Sequence, residues 1–351
     1  MNTPLIFDGH NDVLLKQFEG GRAARTAFST GNEHHIDVPK ATAGGFGGGF
    51  FAIWVPSPMD EDGIFEQMMQ PAYDIPMPPA IDQGFALGVA LKQARMLADL
   101  ESDGALKICT SVQDIAKTMQ SGTMAAIMHM EGAEAIDRDL DALHVLYRAG
   151  LRSLGPVWSR PTIFAEGVPF RYPSSGDTGP GLSPAGFDLV RECNALGVML
   201  DMSHLNEKGF WDVVESSDAP IVATHSNAYE ICPNARNLTD DQLRTIGQSG
   251  GMVGLNFATA FLRPDGQMLA DTALETMLLH LDHMIRLAGE DHVGLGSDFD
   301  GAMVPEAIGD ISGLPTLRAA MVAHGYDEAL MEKLCFGNWL RVLGNTWKGN
   351  S

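Results

Sequence analysis

Along this chain, short apolar runs alternate with polar or glycine-rich turns. Eight runs have the length and content of strands: LIFDGHND (5–12), GGFFAIWVP (48–56), MAAIMHMEG (124–132), AGLRSLGPV (149–157), GVMLDMSH (197–204), PIVATHS (220–226), GMVGLNF (251–257) and DHVGLGSDFDG (291–301). Segments with helix-compatible spacing lie between most of them. IDQGFALGVALKQARMLADLE separates the second run from the third. SPAGFDLVRECNAL, NEKGFWDVVESS, TDDQLRTIGQSG and ALETMLLHLDHMIRLAG precede the fifth to the eighth. Strand and helix alternating eight times predict an α/β fold, a (β/α)8 TIM barrel.

Two stretches break the rhythm: SPMDEDGIFEQMMQPAYDIPMPP after the second run and WSRPTIFAEGVPFRYPSSGDTGPG after the fourth. Loops that follow barrel strands lie on the catalytic face, so both are expected to wall or cover a pocket. The other reading of each is surface decoration. GRAARTAFSTGNEHH (21–35) is expected to be a further loop. A length of 351 residues suits one decorated barrel, so residues 1–351 are read as a single domain, with two fused domains as the alternative.

Residue types that bind metals collect at the ends of the predicted strands. His10 and Asp12 end the first, Glu131 the third, His204 the fifth, His225 the sixth and Asp298 the eighth. A barrel gathers its chemistry at that edge, from several strands at once. His10 and Asp12 are two apart, so an extended strand turns both the same way. A lone His-x-Asp is ordinarily solvated or hydrogen-bonded, and the other strand-end residues give this one its interest. Glu131 has two oxygens and can bridge two ions; otherwise it is a salt-bridged or rim carboxylate. His129 competes as a ligand but is read as packing against the site or orienting it. His204 and His225, on neighbouring strands, can converge on a second ion. Asp201 and Ser203 are expected to orient His204 or to pack below it. Asp298 is read as a proton shuttle with Asp300 in support, or else as another metal ligand. The set implies two divalent ions, and imidazole with carboxylate suits Zn²⁺.

Composition narrows the function. With 23 basic and 45 acidic residues the formal net charge is −22, which repels nucleic acid and anionic membrane surfaces. Cys109, Cys193, Cys232 and Cys335 form no CxxC pair and are expected to be reduced thiols. Neither terminus reads as a signal peptide or lipid anchor, and no apolar run reads as a membrane span, so a cytoplasmic protein is expected. No P-loop, GxGxxG fingerprint, GxSxG elbow or HExxH motif competes with the strand-end set.

The ordered motifs FDGHND, MEG, DMSH, THSNAY, RN and GSDFDG, with CFGNWLRVL near the end, resemble the membrane (renal-type) dipeptidases, peptidase family M19, among the amidohydrolase-like barrels. The likeness runs through nearly the whole chain. It implies His10 and Asp12 as ligands of one ion, Glu131 as the bridge, and His204 and His225 as ligands of the other. It implies Asp298 as the acid/base. It also implies that Arg236, eleven residues after His225, holds the C-terminal carboxylate of a dipeptide. The activity implied is hydrolysis of small dipeptides, including L-Xaa-D-Xaa, by hydroxide bridging the metals; a homodimer is implied as well. One position departs from the mammalian-type pattern, where a His helps hold the scissile carbonyl. Here Trp158 occupies it, as in some bacterial relatives, and Arg160 is the nearby candidate donor. The main alternative is a binuclear amidohydrolase acting on another small or cyclic amide such as a β-lactam. A non-enzymatic metal-binding scaffold and a metal-barrel phosphodiesterase rank below it.

Overall fold

The computed structural model describes residues 4–57 and 61–348. The extreme ends of both termini and part of the first long loop, on which expectations were stated above, lie outside the described residues. Among the described residues eleven strands occur in chain order: β1 Ile6–Asn11, β2 Phe46–Trp54, β3 Tyr73–Ile75, β4 Leu106–Ile108, β5 Met124–Glu131, β6 Leu151–Gly155, β7 Phe170–Tyr172, β8 Met199–Leu200, β9 Val222–Ala223, β10 Met252–Leu255 and β11 Val293–Leu295. The eight predicted runs correspond to β1, β2, β5, β6, β8, β9, β10 and β11. Every residue of β1, β2 and β5 is buried, as expected where helices cover the outside of a parallel sheet and side chains fill the inside.

Four of the five predicted helices start at a capping side chain, and Leu274–Ala288 forms without one. Asp82 caps Gln83–Ser102, Ser183 caps Pro184–Leu196, and Asn206 caps Glu207–Ser216. Thr239 and Gln242 make a reciprocal capping box on Asp240–Gln248. The stretch 21–35 corrects the expectation of a loop. Most of it continues a helix from Val13 to Thr30, with a kink at Gly21 (φ 58°), and Phe28 is buried. Its alanines favour the helix, and the glycine takes the one residue of left-handed backbone.

Parallel pairing gives one sheet in the order β1-β2-β5-β6-β8, with β4 also on β5, and a second in the order β11-β10-β9. Among the described residues only single bridges join the two, Asn11 with Phe299 and Asp201 with Val222. The expectation of a fully closed barrel is therefore met in part: the sheet is parallel, curled and open, of half-barrel type. Strands β8 and β9 are two residues long, too short to carry a continuous ladder across their seam. At the other seam a side chain helps: the Asp8 carboxylate accepts from Ser297 N (2.7 Å) and Ser297 Oγ (2.9 Å).

Inside the curl, Phe7, Phe50, Ile127, Met199, Met252 and Trp339 pack together. Glycines on three strands make room for the indole. A Cβ on Gly9 or Gly254 would lie 2.5 or 3.1 Å from Trp339 Cζ2, and one on Gly294 would lie 3.1 Å from its Nε1. Trp339 Nε1 donates to Leu295 O (3.0 Å), and Asn338 Nδ2 donates to Glu290 O and Val293 O. The NWLR segment thus plugs the curl from below. At its other end the two long loops meet: β3 and β7 pair antiparallel, with Ile75 opposite Phe170. The first of these loops also carries the helix Glu61–Met68.

Gly254→Ala is expected to lower the folding free energy by about 2–3 kcal/mol through overpacking, because the added Cβ would sit 2.0 Å from Thr224 O. Chemical denaturation measures this; a wild-type unfolding midpoint would contradict the close-approach account.

Candidate metal centre

β1 delivers His10 and β5 delivers Glu131, which lies between three imidazoles. His10 Nε2 is 3.6 Å from Glu131 Oε2. His204 Nε2 and His225 Nε2 are 3.0 and 3.4 Å from Glu131 Oε1. Asp12, at the start of the Val13–Thr30 helix, places Oδ2 3.5 Å from His10 Nε2. The His10 and His225 rings stack with centroids 3.9 Å apart, and the Nε2 atoms of His204 and His225 are 3.1 Å apart. Two groups of donors suit a metal ion, His10 with Glu131 and His225, and His10 with Asp12 and Asp298. The five expected ligands therefore come together, and Asp298 joins them.

The donors are chemically matched to cations. Both ring nitrogens of His10 are buried without a hydrogen-bond partner. Burial lifts the Glu131 carboxyl well above the usual range and lifts Asp298 too. Burial opposes a charge on His10, but Glu131, Asp12 and Asp298 outweigh it and push His10 up to about 10. Burial keeps His204 and His225 neutral, with Arg236 and His10 adding to the effect. Neutral imidazole beside buried carboxylate is the donor set that divalent cations take.

His204 and His225 are oriented from behind. Ser159 Oγ is 2.9 Å from His204 Nδ1, leaving Nε2 for the centre. Thr224 Oγ1 is 2.8 Å from His225 Nδ1 and donates to Asp201 Oδ2 (2.6 Å). Asp201 also accepts from the Ser203 and Thr224 amides, and Ser203 Oγ accepts from His225 N. Asp201 and Ser203, expected to orient His204 or to pack below it, have their hydrogen bonds on the His225 side. His129 Nδ1 is 2.9 Å from Ser153 Oγ, and its ring meets His10 edge-on, with centroids 5.5 Å apart. Sequence reading missed Ser159, Thr224 and Asn256. The only signal for Asn256 was a polar residue at the end of an apolar strand.

Asp298 Oδ2 accepts from Asn256 Nδ2 (2.9 Å). Asp298 and Asp300 do not extend a strand, since β11 ends at Leu295 and both have positive φ (62° and 71°). Asp300 supports the entrance rather than Asp298: its Oδ1 accepts from His35 N (2.7 Å), and its own N–H donates to His35 Nδ1 (2.8 Å). That bond needs an unprotonated ring nitrogen, and burial lowers the His35 pKa to about 4.

A cavity of about 440 Å³ opens over the centre, and Asp12, Glu131, His204 and Asp298 line it. Both long loops supply walls, including Phe65, Met68, Trp158 and Phe170. Arg160 corrects the sequence expectation. It is fully buried, its Nε and Nη2 reach Glu134, and its other bonds go to Ser57 and Val55 O, so it does not line the cavity. Arg236 is buried with Phe261, its guanidinium carbon 5.4 Å from that ring.

A profile of the membrane dipeptidase family, peptidase family M19, matches residues 1–349. A metallo peptidase from Rhodobacter sphaeroides, solved with a phosphinate mimic of the dipeptide L-Ala-D-Ala, is similar: 54% identity, TM-score 0.97, covering 99% of this chain and 100% of that one. The dipeptidase AC, a metallo peptidase of family M19, matches with 54% identity, TM-score 0.97 and coverage of 99% and 100%. A Klebsiella pneumoniae protein of the pqqA 5′ region is 47% identical over 267 residues, 76% of this chain and 98% of its own length.

Glu131→Gln removes the charge shared by the three imidazoles. Elemental analysis of the purified variant is expected to show loss of metal from the whole centre. Wild-type metal content would contradict the central placement of Glu131.

Proposed function

Because the chain belongs to the membrane dipeptidase family, peptidase family M19, and is a metal-dependent dipeptidase of small dipeptides, we propose that it cleaves L-Xaa-D-Xaa dipeptides held between a pair of zinc ions and Arg236. The observation that carries this reading is a buried guanidinium beside the metal centre that faces the charge of Asp298 and Glu131 without a direct salt bridge to either. Among the described residues, no carboxylate forms a salt bridge with Arg236. Its Nη2 donates to His225 O (3.0 Å), and its Nε is buried without a partner. Burial lowers its pKa, but a guanidinium stays charged at neutral pH. A buried cation in this state calls for an anion, and a free carboxylate fits it in two-pronged fashion. The L-Ala-D-Ala mimic bound by the Rhodobacter sphaeroides relative supports the same substrate class.

His10, Asp12 and Glu131 would hold one ion, and Glu131, His204 and His225 the other. Zinc suits three imidazoles with carboxylates. When bound, such a pair activates water at neutral pH and steadies negative charge on the scissile carbonyl oxygen. The chain's own groups do the rest. Asp298 takes the proton of the attacking water and passes it to the leaving amine. Asn256 holds Asp298 Oδ2 and leaves Oδ1 for that proton. Arg236 fixes the carboxylate end, which places the neighbouring peptide bond over the centre and excludes peptides that continue past it. The two seam bridges support reading the curled sheets as a (β/α)8 barrel of the metal-dependent hydrolase type. A binuclear hydrolase of other small amides would keep the metal ligands but would leave Arg236 without its anion.

Asp298→Asn is expected to keep its metal and to lose about 10²–10⁴-fold in the chemical step, read by single-turnover rates at matched metal content. Near-normal turnover would exclude the shuttle role, and loss of metal would show that Asp298 is a ligand instead. Arg236→Met should lower kcat/KM for a dipeptide by about 2 kcal/mol or more. The loss should be far smaller for the C-terminally amidated dipeptide. Equal losses on acid and amide, with metal content unchanged, would reject carboxylate recognition by Arg236.

A further inference from the structure

Trp158, Phe170 and Phe261 form a continuous aromatic wall on one side of the cavity. Trp158 and Phe170 meet edge to face, with centroids 5.6 Å apart, and Phe170 stacks on Phe261 at 6.2 Å. All three line the cavity. Trp158 and Phe170 are only half-buried, so apolar ring surface remains open to the space above the metal centre. Exposed apolar surface gathered inside a cavity, and not scattered over the outside, marks a ligand contact.

The wall is rigid. Phe170 lies in β7, paired with Ile75 of β3. Trp158 is braced on its other side by Trp54, 5.1 Å away between centroids, and the Arg160 guanidinium lies 5.5 Å from its ring. Arg160 is locked in turn by Glu134. A wall held in this way presents a fixed shape to whatever lies against it.

Its position selects one end of the substrate. Trp158 and Phe170 face His204, with ring centroids 5.9 and 6.3 Å away, and Phe261 lies against Arg236. The wall therefore runs from His204 at the metal centre to Arg236, and its Phe261 end flanks the carboxylate pole. If Arg236 holds the substrate carboxylate, the side chain on the same Cα lies next to Phe261 and Phe170.

Resting on that reading of Arg236, we propose that Trp158, Phe170 and Phe261 select dipeptides whose carboxyl-terminal residue carries a bulky apolar side chain. The wall sorts the carboxyl-side residue and has no part in sorting the residue on the amino side. Several additional buried methylenes change kcat/KM by about tenfold or more. The enzyme should therefore favour L-Ala-D-Leu and L-Ala-D-Phe over L-Ala-D-Ala by about that factor. It should disfavour L-Ala-D-Asp, whose charge would have to desolvate against the rings.

The test is a kcat/KM profile of the metal-loaded wild-type protein over L-Ala-D-Xaa and L-Xaa-D-Ala series, repeated with Phe170→Leu and Phe170→Ala. The expected result is an apolar preference confined to the carboxyl-side series. The ratio of L-Ala-D-Phe to L-Ala-D-Ala should fall in the Phe170 variants, while ratios within the amino-side series stay as in the wild type. Ratios taken within one variant cancel a general loss of active protein. Hydrolysis that is indifferent to the carboxyl-side residue, or that favours charged residues there, overturns the proposal. So does an unchanged carboxyl-side ratio in the variants. If neither variant folds, the wild-type profile decides alone. No hydrolysis of any dipeptide by the metal-loaded wild type would instead overturn the underlying reading of the site.

Discussion

One carboxylate, Glu131, stands among imidazoles delivered from three other parts of the chain, and the rest of the site is arranged around it. Its two oxygens lie 3.0–3.6 Å from His10, His204 and His225. Asp12 and Asp298 bring further negative charge to His10. Buried carboxylates this close to one another are costly unless cations share the space. Glu131, Asp12 and Asp298 raise the His10 pKa against its burial, the direction expected where negative charge crowds one imidazole. A pair of divalent ions offsets that charge and also supplies the reactivity of a dipeptidase.

Holding this cluster constrains the fold. Three of the four non-glycine residues with positive φ among the described residues are His204, Asp298 and Asp300, all at the centre or its entrance. Such backbone is sparsely populated and persists where the surroundings enforce it. The enforcement is visible on every side. Asp8 and Ser297 tie β1 to the Asp298 segment. Asp201, Thr224 and Ser203 tie the β8 end to His225. Below, Trp339 fills the space left by glycines on three strands, so the strand ends cannot slide relative to one another without a clash.

Much of this was legible in the sequence, and the reasons differ from element to element. Strand ends were readable because a metal ligand at the end of an apolar run is chemically conspicuous, as with MEG at Glu131 or THS at His225. Helices with a capping residue and an apolar stripe were also readable. Four things were not. The helical part of the 21–35 stretch, which ends at Thr30, was hidden by glycines, although only Gly21 breaks the helical backbone. The fate of Arg160 depended on Glu134, a buried partner that becomes adjacent only after folding. The link from Asp201 to His225 was not readable because it runs through Thr224, and sequence spacing does not reveal a hydroxyl relay. The same limit hid the pairing of the two long loops through β3 and β7: each read as a loop alone, and only together do they place Phe170 beside Trp158.

The central claim is that this buried cluster needs cations and that, once filled, it cleaves dipeptides. The most direct measurement is a zinc titration of protein stripped by chelator and confirmed folded by circular dichroism, following release of free alanine from L-Ala-D-Ala. The account predicts negligible hydrolysis without metal and a rise that saturates at two equivalents per chain. Full hydrolysis by the metal-free protein, or none at saturating zinc, would contradict it.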